Sequence, residues 1–226
     1  MVRTRNDSRA FTRVDIDPMV DRTALIVIFA RAPQAGRVKT RLADAIGAQE
    51  AARLHARLVE RTVATAQAAC CGPVELHGTP AGHGFLRALA RRHALVLRSQ
   101  SAGDIGDRMH TAFRHALRRH ARVILMGSDC PALRPDDLRR ASRLLQSCDA
   151  VLAPAEDGGY PLIGLSRLSA RIFEEIAWST SLVVDQTRQR LTALGWRWRE
   201  LRTVWDVDRP GDIERLKSSR LLERRP

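Results

Sequence analysis

The chain of 226 residues contains very little lysine and few aromatic residues. Lysine and arginine together number 38, yet lysine occurs only at Lys39 and Lys217. Aromatic residues make up 4% of the chain, so the core must be built from Ala, Val, Leu and Ile. They do not interleave with the scattered arginines as a platform for stacking nucleic-acid bases requires. Despite a net charge of +13, we therefore expect no dedicated nucleic-acid binding.

Long apolar runs and metal-binding cysteine patterns are also missing. The longest apolar run, residues 24–30, is far too short to cross a bilayer. It also lacks the cleavage site of an export signal. The four cysteines, Cys70, Cys71, Cys130 and Cys148, match neither a zinc site nor a secreted disulfide framework. We therefore expect a cytoplasmic protein with free thiols and no membrane contact.

The order of apolar segments predicts an α/β fold. Residues 1–22 are polar and aperiodic, which is typical of a disordered or loosely held arm, and residues 219–226 form a basic tail. Between them, residues 23–218 read as one domain in which strand-length apolar runs alternate with segments of helical period. Strands are predicted at 25–30, 74–79, 94–98, 123–126, 150–153 and 162–165. Helices are predicted at 49–69, 107–120, from Pro135 onward, and at 181–195.

The rare Lys39 lies in a loop directly after the first predicted strand. It stands between Arg37 and Arg41 in the segment Gly36-Arg37-Val38-Lys39-Thr40-Arg41. A lysine ammonium binds phosphate as a compact point charge, whereas arginine presents a planar fork. Val38 precedes the lysine where a P-loop requires glycine, so the loop is not a P-loop. The pattern predicts a less common phosphate cradle; the alternative is a surface lysine without a role.

Acidic residues follow other predicted strands. Asp129 leaves the strand at 123–126, and Asp206 and Asp208 alternate along an extended segment that turns both to one side. Carboxylates are preferred ligands of Mg²⁺, so these three aspartates form a candidate metal site. Two alternatives stay open: Asp129 as a turn former or cap, and Asp208 as the cap of a helix that begins near Pro210.

The segment Glu156-Asp157-Gly158-Gly159-Tyr160 has two interpretations. Asp-Gly is a strong hairpin signal, so the segment could be a simple turn. Two successive glycines could also leave bare backbone against which a ligand can lie.

These segments, in this order, resemble the DUF2064 family of GT-A-fold proteins, of the arsenosugar-biosynthesis or selenodomain-associated glycosyltransferase-like type. The resemblance rests on the segments at 32–42, 103–109, 127–131, 154–160, 178–180 and 206–208, and covers residues 24–216. Relatives include the nucleotide-diphospho-sugar transferases and the molybdenum-cofactor and phospholactate guanylyltransferases.

The resemblance implies a Rossmann-like three-layer sandwich with a mostly parallel mixed sheet, which binds a nucleotide or nucleotide-sugar and a divalent metal, Mg²⁺ or Mn²⁺. It implies metal binding by Asp129, Asp206 and Asp208. The expected nucleotide or phosphate contacts are Arg31, Gly36, Lys39, Arg41, Asp104 and Arg108. The expected acceptor side is Gly158, Gly159 and Tyr160. Asp129 and Asp157 are the expected catalytic residues, with Asp157 orienting or deprotonating the acceptor.

The leading hypothesis is therefore a metal-dependent transferase that passes a sugar from a nucleotide-sugar to a small-molecule acceptor. Nucleotidyl transfer from an NTP to a phosphorylated small molecule would use the same apparatus. A catalytically silent nucleotide-binding module of the same fold is a further alternative, and a basic nucleic-acid binder is the last.

Overall fold

The structure is a computed structural model that describes residues 21–223. Within these residues, seven strands form one sheet: β1 (Asp21–Arg31), β2 (Val74–Thr79), β3 (Val96–Ser99), β4 (His120–Gly127), β5 (Ala150–Ala153), β6 (Leu162–Leu165) and β7 (Trp198–Glu200). The same part of the chain forms seven α-helices: α1 (Thr40–Ile46), α2 (Ala48–Ala69), α3 (Gly84–Arg92), α4 (Ile105–Ala116), α5 (Pro135–Leu144), α6 (Val183–Ala193) and α7 (Pro210–Ser219).

The sheet is mixed and mostly parallel, as expected. Its strand order is β3-β2-β1-β4-β6-β5-β7, and β6 runs antiparallel to both of its neighbours. The long strands β1 and β4 are parallel partners, and Phe29 near the end of β1 pairs with Gly127 at the end of β4. The loops that follow these two strands therefore start side by side at the carboxyl edge, where open α/β sheets bind ligands.

Helices cover both faces of the sheet. Because successive strand residues point to opposite faces, Ile26 and Ile28 of β1 pack with α2, α3 and α5, whereas Leu25 and Val27 pack with α4 and α6. Each such fully buried side chain contributes about 1.5–3 kcal/mol. The result is the predicted three-layer sandwich, which holds the carboxyl edge on a rigid base.

A third apolar cluster lies beside that edge. Leu42 of α1, Leu58 of α2 and Leu216 of α7 pack around Val207, which is fully buried. The cluster anchors the segments that carry Lys39 and Asp206, so these charged residues are positioned by apolar neighbours in the sequence.

The structure corrects several predicted boundaries. Helix α4 ends at Ala116 rather than 120, because His120 already pairs with β1 as the first residue of β4. Strand β3 begins at Val96 rather than 94, since Ala94 has a positive φ of 51° that interrupts extended backbone. Helices α1 and α3 and strand β7 were not predicted.

The ends of the domain also differ from the prediction. Strand β1 begins at Asp21, inside the segment predicted as an arm, while residues 1–20 lie outside the described part of the chain. At the other end, Leu221 and Leu222 pack against the third cluster. The domain therefore continues past the predicted boundary at 218, and residues 224–226 of the predicted tail lie outside the described residues.

Candidate functional site

Lys39 is buried at the start of α1. It occupies the position before the first helical residue, with a left-handed backbone (φ 49°, ψ 41°), and its side chain is only 4% exposed. Val38 and Leu42 are buried on either side of it. This turn directs the ammonium inward, where Lys39 Nζ lies 3.0 Å from Asp129 Oδ1. The predicted Lys39 loop and the predicted Asp129 segment therefore meet directly.

Asp129 presents one oxygen to the protein and one to the outside. Its Oδ1 is buried, although the side chain as a whole is 49% exposed, so the exposure belongs to the rest of the carboxylate. His55 Nδ1 lies 3.4 Å from the same Oδ1. Burial alone would raise the pKa of Asp129, but the Lys39 ammonium and the His55 imidazole outweigh it and hold the pKa well below its ordinary value. Asp129 is therefore a carboxylate at any ordinary pH.

His55 was not predicted as a site residue. It lies on the buried face of α2 together with Ala51 and Leu58, and its Nε2 lies 3.0 Å from the carbonyl oxygen of Arg31. It thus contacts both the end of β1 and Asp129, the second residue after β4. A histidine at apolar helical spacing was the available signal, because such a ring needs polar partners when buried.

The segment at 205–208 lies against the Asp129 loop. The thiol of Cys130 donates to the carbonyl of Trp205 at 3.0 Å, and the backbone N–H of Val207 donates to the carbonyl of Asp129, also at 3.0 Å. These two contacts place the backbone of Asp206 beside that of Asp129. The predicted approach of the two distant motifs is therefore present.

Asp206 lies in an acidic environment. Burial, followed by the charge of Asp157, raises the pKa of Asp206 to about 6; Asp208 adds to the effect and Lys39 opposes it. Three carboxylates therefore interact electrostatically at this edge. A carboxylate with a raised pKa between other acids is a position where a bound cation relieves repulsion.

The predicted three-aspartate metal set is not brought together. Asp208 Oδ2 instead pairs with Arg41 Nη1 at 2.5 Å, and Asp129 Oδ1 is engaged by Lys39. In the part of the chain that the structure describes, no three or more His, Cys, Asp or Glu side chains form a metal-holding group. Asp208 is not the predicted helix cap either, because Arg209 holds the N-cap position of α7. The carboxylate of Asp212 accepts the backbone N–H groups of Asp208 and Arg209. The outer oxygen of Asp129 and the carboxylate of Asp206 remain as possible ligands.

The Asp157–Tyr160 segment is a tight turn that packs on the protein. Asp157 is exposed and accepts the backbone N–H of Gly159 at 2.9 Å. A Cβ on Gly158 would lie 2.1 Å from the carbonyl oxygen of Ser181, so protein backbone fills the space that we expected a ligand to use. The Tyr160 ring packs against Trp178, and burial raises the pKa of its hydroxyl. The predicted acceptor side, Gly158, Gly159 and Tyr160, is partly buried, whereas the predicted catalytic residue Asp157 is exposed and interacts electrostatically with Asp206.

The other predicted nucleotide contacts fall in two places. Arg31 and Gly36 are exposed on the β1 side, near Lys39 and Arg41 in sequence. Asp104 caps α4 by accepting the N–H of Asp107 at 2.9 Å, so its carboxylate has a structural role. Arg108 donates to the carbonyl of Gly103 and lines a cavity beside α4.

This fold, with a cationic loop after the first strand facing an aspartate after the fourth, defines a Rossmann-like α/β protein with a candidate ligand site at the carboxyl edge of its sheet. Residues 62–180, more than half of the chain, match the model of the family described as "Uncharacterized protein conserved in bacteria (DUF2064)". The chain therefore belongs to the DUF2064 family, which confirms the resemblance. A comparison with curated proteins gave no match.

Solved structures agree with this assignment. The chain is similar to a candidate nucleotide-diphospho-sugar transferase from Desulfovibrio desulfuricans G20, with 28% identity, a TM-score of 0.81 and 88% of each chain covered. It shares its fold with a CMP:2-keto-3-deoxy-manno-octonic acid synthetase in complex with CTP (13% identity, TM-score 0.59, 89% and 100% covered). It also shares its fold with the 4-diphosphocytidyl-2C-methyl-D-erythritol synthase of Anaerococcus prevotii DSM 20548 (10% identity, TM-score 0.61, 90% and 99% covered).

Among residues 21–223, no helix has the length and apolar character needed to span a membrane.

Proposed function

We propose that this protein is a transferase that acts on a nucleotide-activated small molecule, with transfer of a sugar from a nucleotide-sugar as its reaction. The observation that carries the proposal is the buried contact between Lys39 and Asp129 at the ends of two neighbouring parallel strands. The similarity to the D. desulfuricans protein over 88% of both chains supports the same reaction class. The loop after β1 and the segment at 205–208 lie outside the family match.

Lys39 is the proposed partner of the diphosphate. Its ammonium is already desolvated and held at the sheet edge, so little conformational entropy is lost when a phosphate approaches. Arg41 lies two residues further on and holds Asp208 in the free protein. A bound diphosphate would compete with Asp208 for that exposed guanidinium, and it would add a second cation to the phosphate contacts.

The proposal includes a divalent cation, Mg²⁺ or Mn²⁺, held by two carboxylates. The outer oxygen of Asp129 and the carboxylate of Asp206 would hold it together with ligand phosphates, which is how proteins usually bind Mg²⁺. Such an ion would stabilise negative charge on the leaving diphosphate. The raised pKa of Asp206 supports this role, because a cation there removes the repulsion from Asp157 and Asp208.

Asp157 is the proposed residue for the acceptor. It is exposed, lies on a turn fixed by its own contact with Gly159, and interacts electrostatically with Asp206. From this position its carboxylate could orient an acceptor hydroxyl or take its proton. Replacement by asparagine should then reduce turnover more than nucleotide binding.

Nucleotidyl transfer is the second candidate, since the same cationic loop and metal pair would serve attack on an NTP. Proteins of this fold include a nucleotidyl transferase and a cytidylyltransferase, but their identity to this chain is 13% and 12%, so they support the fold alone. The products separate the two reactions, because glycosyl transfer releases a nucleoside diphosphate and nucleotidyl transfer releases pyrophosphate.

Calorimetric titration with UDP-glucose, GDP-mannose, GTP and CTP, each with and without Mg²⁺ or Mn²⁺, tests the proposal. We expect at least one nucleotide to bind more tightly with metal, and Lys39→Gln to weaken that binding at least tenfold (about 1.4 kcal/mol). Arg37→Gln is the matched control, because it removes one charge from an exposed residue of the same loop. No metal-assisted binding by any of the four would refute the proposal. Binding without turnover, unaffected by Asp157→Asn, would indicate a silent module.

A further inference from the structure

A second concentration of positive charge lies on the β3 side of the sheet, between α4 and the strands β1 to β3. There a cavity of about 270 Å³ opens beside the sheet. Its arginines come from three places: Arg98 on β3, Arg108 on α4, and Arg119 after α4. No carboxylate is among its lining residues within the described part of the chain.

A buried glutamate holds two of these arginines in place. Glu75 of β2, 3% exposed, accepts from Arg98 Nε at 2.8 Å, from Arg98 Nη2 at 3.3 Å and from Arg119 Nη1 at 3.0 Å. His77, two residues along the same strand, contacts the same carboxylate at 3.0 Å and lines the cavity. Burial would raise the pKa of Glu75, but these partners outweigh it and keep the group charged. The two arginines are therefore fixed in direction and remain nearly half exposed toward the cavity.

Further donors in the wall are not used by the protein. Arg108 donates through Nε to Gly103, and within residues 21–223 its two terminal nitrogens make no hydrogen bond or ion pair. The hydroxyl oxygen of Ser101 is buried in the wall without a hydrogen-bond partner in the same part of the chain. A purely solvated sheet flank needs neither a buried acid that organises arginines nor a buried hydroxyl without a partner.

The charge and size of the cavity define its ligand class. Three arginines against one glutamate leave an excess of about two positive charges, which matches a phosphate monoester carrying −1.5 to −2 at neutral pH. At about 270 Å³ the cavity lies just below the usual range for small-molecule sites, so it suits a small metabolite rather than a whole nucleotide.

We propose that this cavity binds a small molecule through a phosphate monoester group, held by Arg98, Arg108 and Arg119. The cavity takes in the end of β3 and the loop that follows it, and none of Lys39, Asp129 and Asp206 lines it, so the proposal does not depend on the proposed transfer reaction. Inorganic phosphate and a sugar phosphate share the recognised group and are distinguished by titrating both.

Two-dimensional amide NMR on the full chain tests the proposal with inorganic phosphate, ribose 5-phosphate and UDP-glucose as probes. The first two should shift amides at 98–101 and 108–119, with ribose 5-phosphate binding more tightly if a phosphorylated metabolite is the ligand. UDP-glucose carries no monoester and should instead shift amides at 36–41. The two regions thus report separately on this site and on the proposed transferase site.

Arg119→Gln and Arg118→Gln form a matched pair, because both remove one charge and Arg118 does not line the cavity. We expect Arg119→Gln to weaken phosphate binding at least tenfold and Arg118→Gln to change it less than about twofold. Thr111→Glu adds a negative charge to the wall without touching Glu75 and should weaken binding similarly. Phosphate shifts confined to residues 36–41, equal effects of the two arginine variants, or no shifts at about 10 mM ligand would each overturn the proposal.

Discussion

Asp206→Asn should make the free protein more stable at neutral pH. In the folded chain, burial and the charges of Asp157 and Asp208 raise the pKa of Asp206 from 3.8 to about 6. Above pH 6 the protein therefore keeps a charged carboxylate where the neutral form is preferred. Asparagine has nearly the same shape and carries no charge, so it removes this cost.

The displacement of the pKa sets an upper limit of about 3 kcal/mol, since each pH unit is worth about 1.36 kcal/mol. Asp206 is partly exposed, so solvent screening reduces the expected gain to about 1–2 kcal/mol. For a domain of this size that corresponds to a rise in Tm of about 2–8 °C.

The pH dependence identifies the cause. An acid whose pKa is raised by folding contributes stability below its unfolded pKa of about 3.9, and this contribution is lost as pH rises through about 6. The advantage of Asp206→Asn should therefore be full at pH 7.5, shrink through pH 6 and be nearly absent at pH 4.

Thermal unfolding of both proteins followed by circular dichroism, in EDTA buffers from pH 4 to pH 8, checks this. Asp44→Asn, a change at an exposed residue of α1, is the control and should leave Tm nearly unchanged. A gain that is equal at all pH values, or a loss of stability at pH 7.5, would refute the electrostatic account of Asp206.

Three further predictions concern the same edge of the sheet. Asp129→Asn leaves the buried Lys39 ammonium without its counter-charge and should cost about 3 kcal/mol at pH 7 in urea unfolding, and no loss would contradict the ion pair. Because folding lowers the pKa of Asp129, this loss should shrink as pH falls below about 3.9, where the unfolded wild type begins to bind a proton. Lys39→Arg keeps the charge but places a larger planar group where the wild-type side chain is only 4% exposed. Nucleotide affinity measured by calorimetry should therefore fall at least tenfold. Wild-type affinity in this variant would show that lysine is not required. Gly158→Ala should cost at least about 3 kcal/mol in urea unfolding, because the new Cβ would meet the backbone of Ser181. Gly36→Ala is the control: Gly36 has a similar positive φ but open space around it, so the change should cost only about 1 kcal/mol. Equal costs would contradict the packing of the turn.

Local sequence patterns predicted most of the fold. Apolar runs of strand length identified six of the seven strands in the described residues. Strands β5 and β6 are buried at every position and leave an unbroken apolar signature, whereas the edge strand β3 is largely exposed. Helices α2, α4, α5 and α6 followed from helical period or from Pro135 at a helix start. Strand β7 was missed because Trp198-Arg199-Glu200 is short and mostly polar, and its pairing with β5 depends on tertiary contacts.

The sequence by itself also determined which chemistry is available at the carboxyl edge: one rare lysine, aspartates after the strands and a Gly-Gly turn. Only the tertiary structure decided which charges pair. Lys39 faces Asp129, Arg41 takes Asp208 away from the predicted metal set, and His55 joins from a helix. Such pairing depends on how distant segments pack, because Coulomb attraction and desolvation change within a few ångströms and leave no periodic trace in the chain.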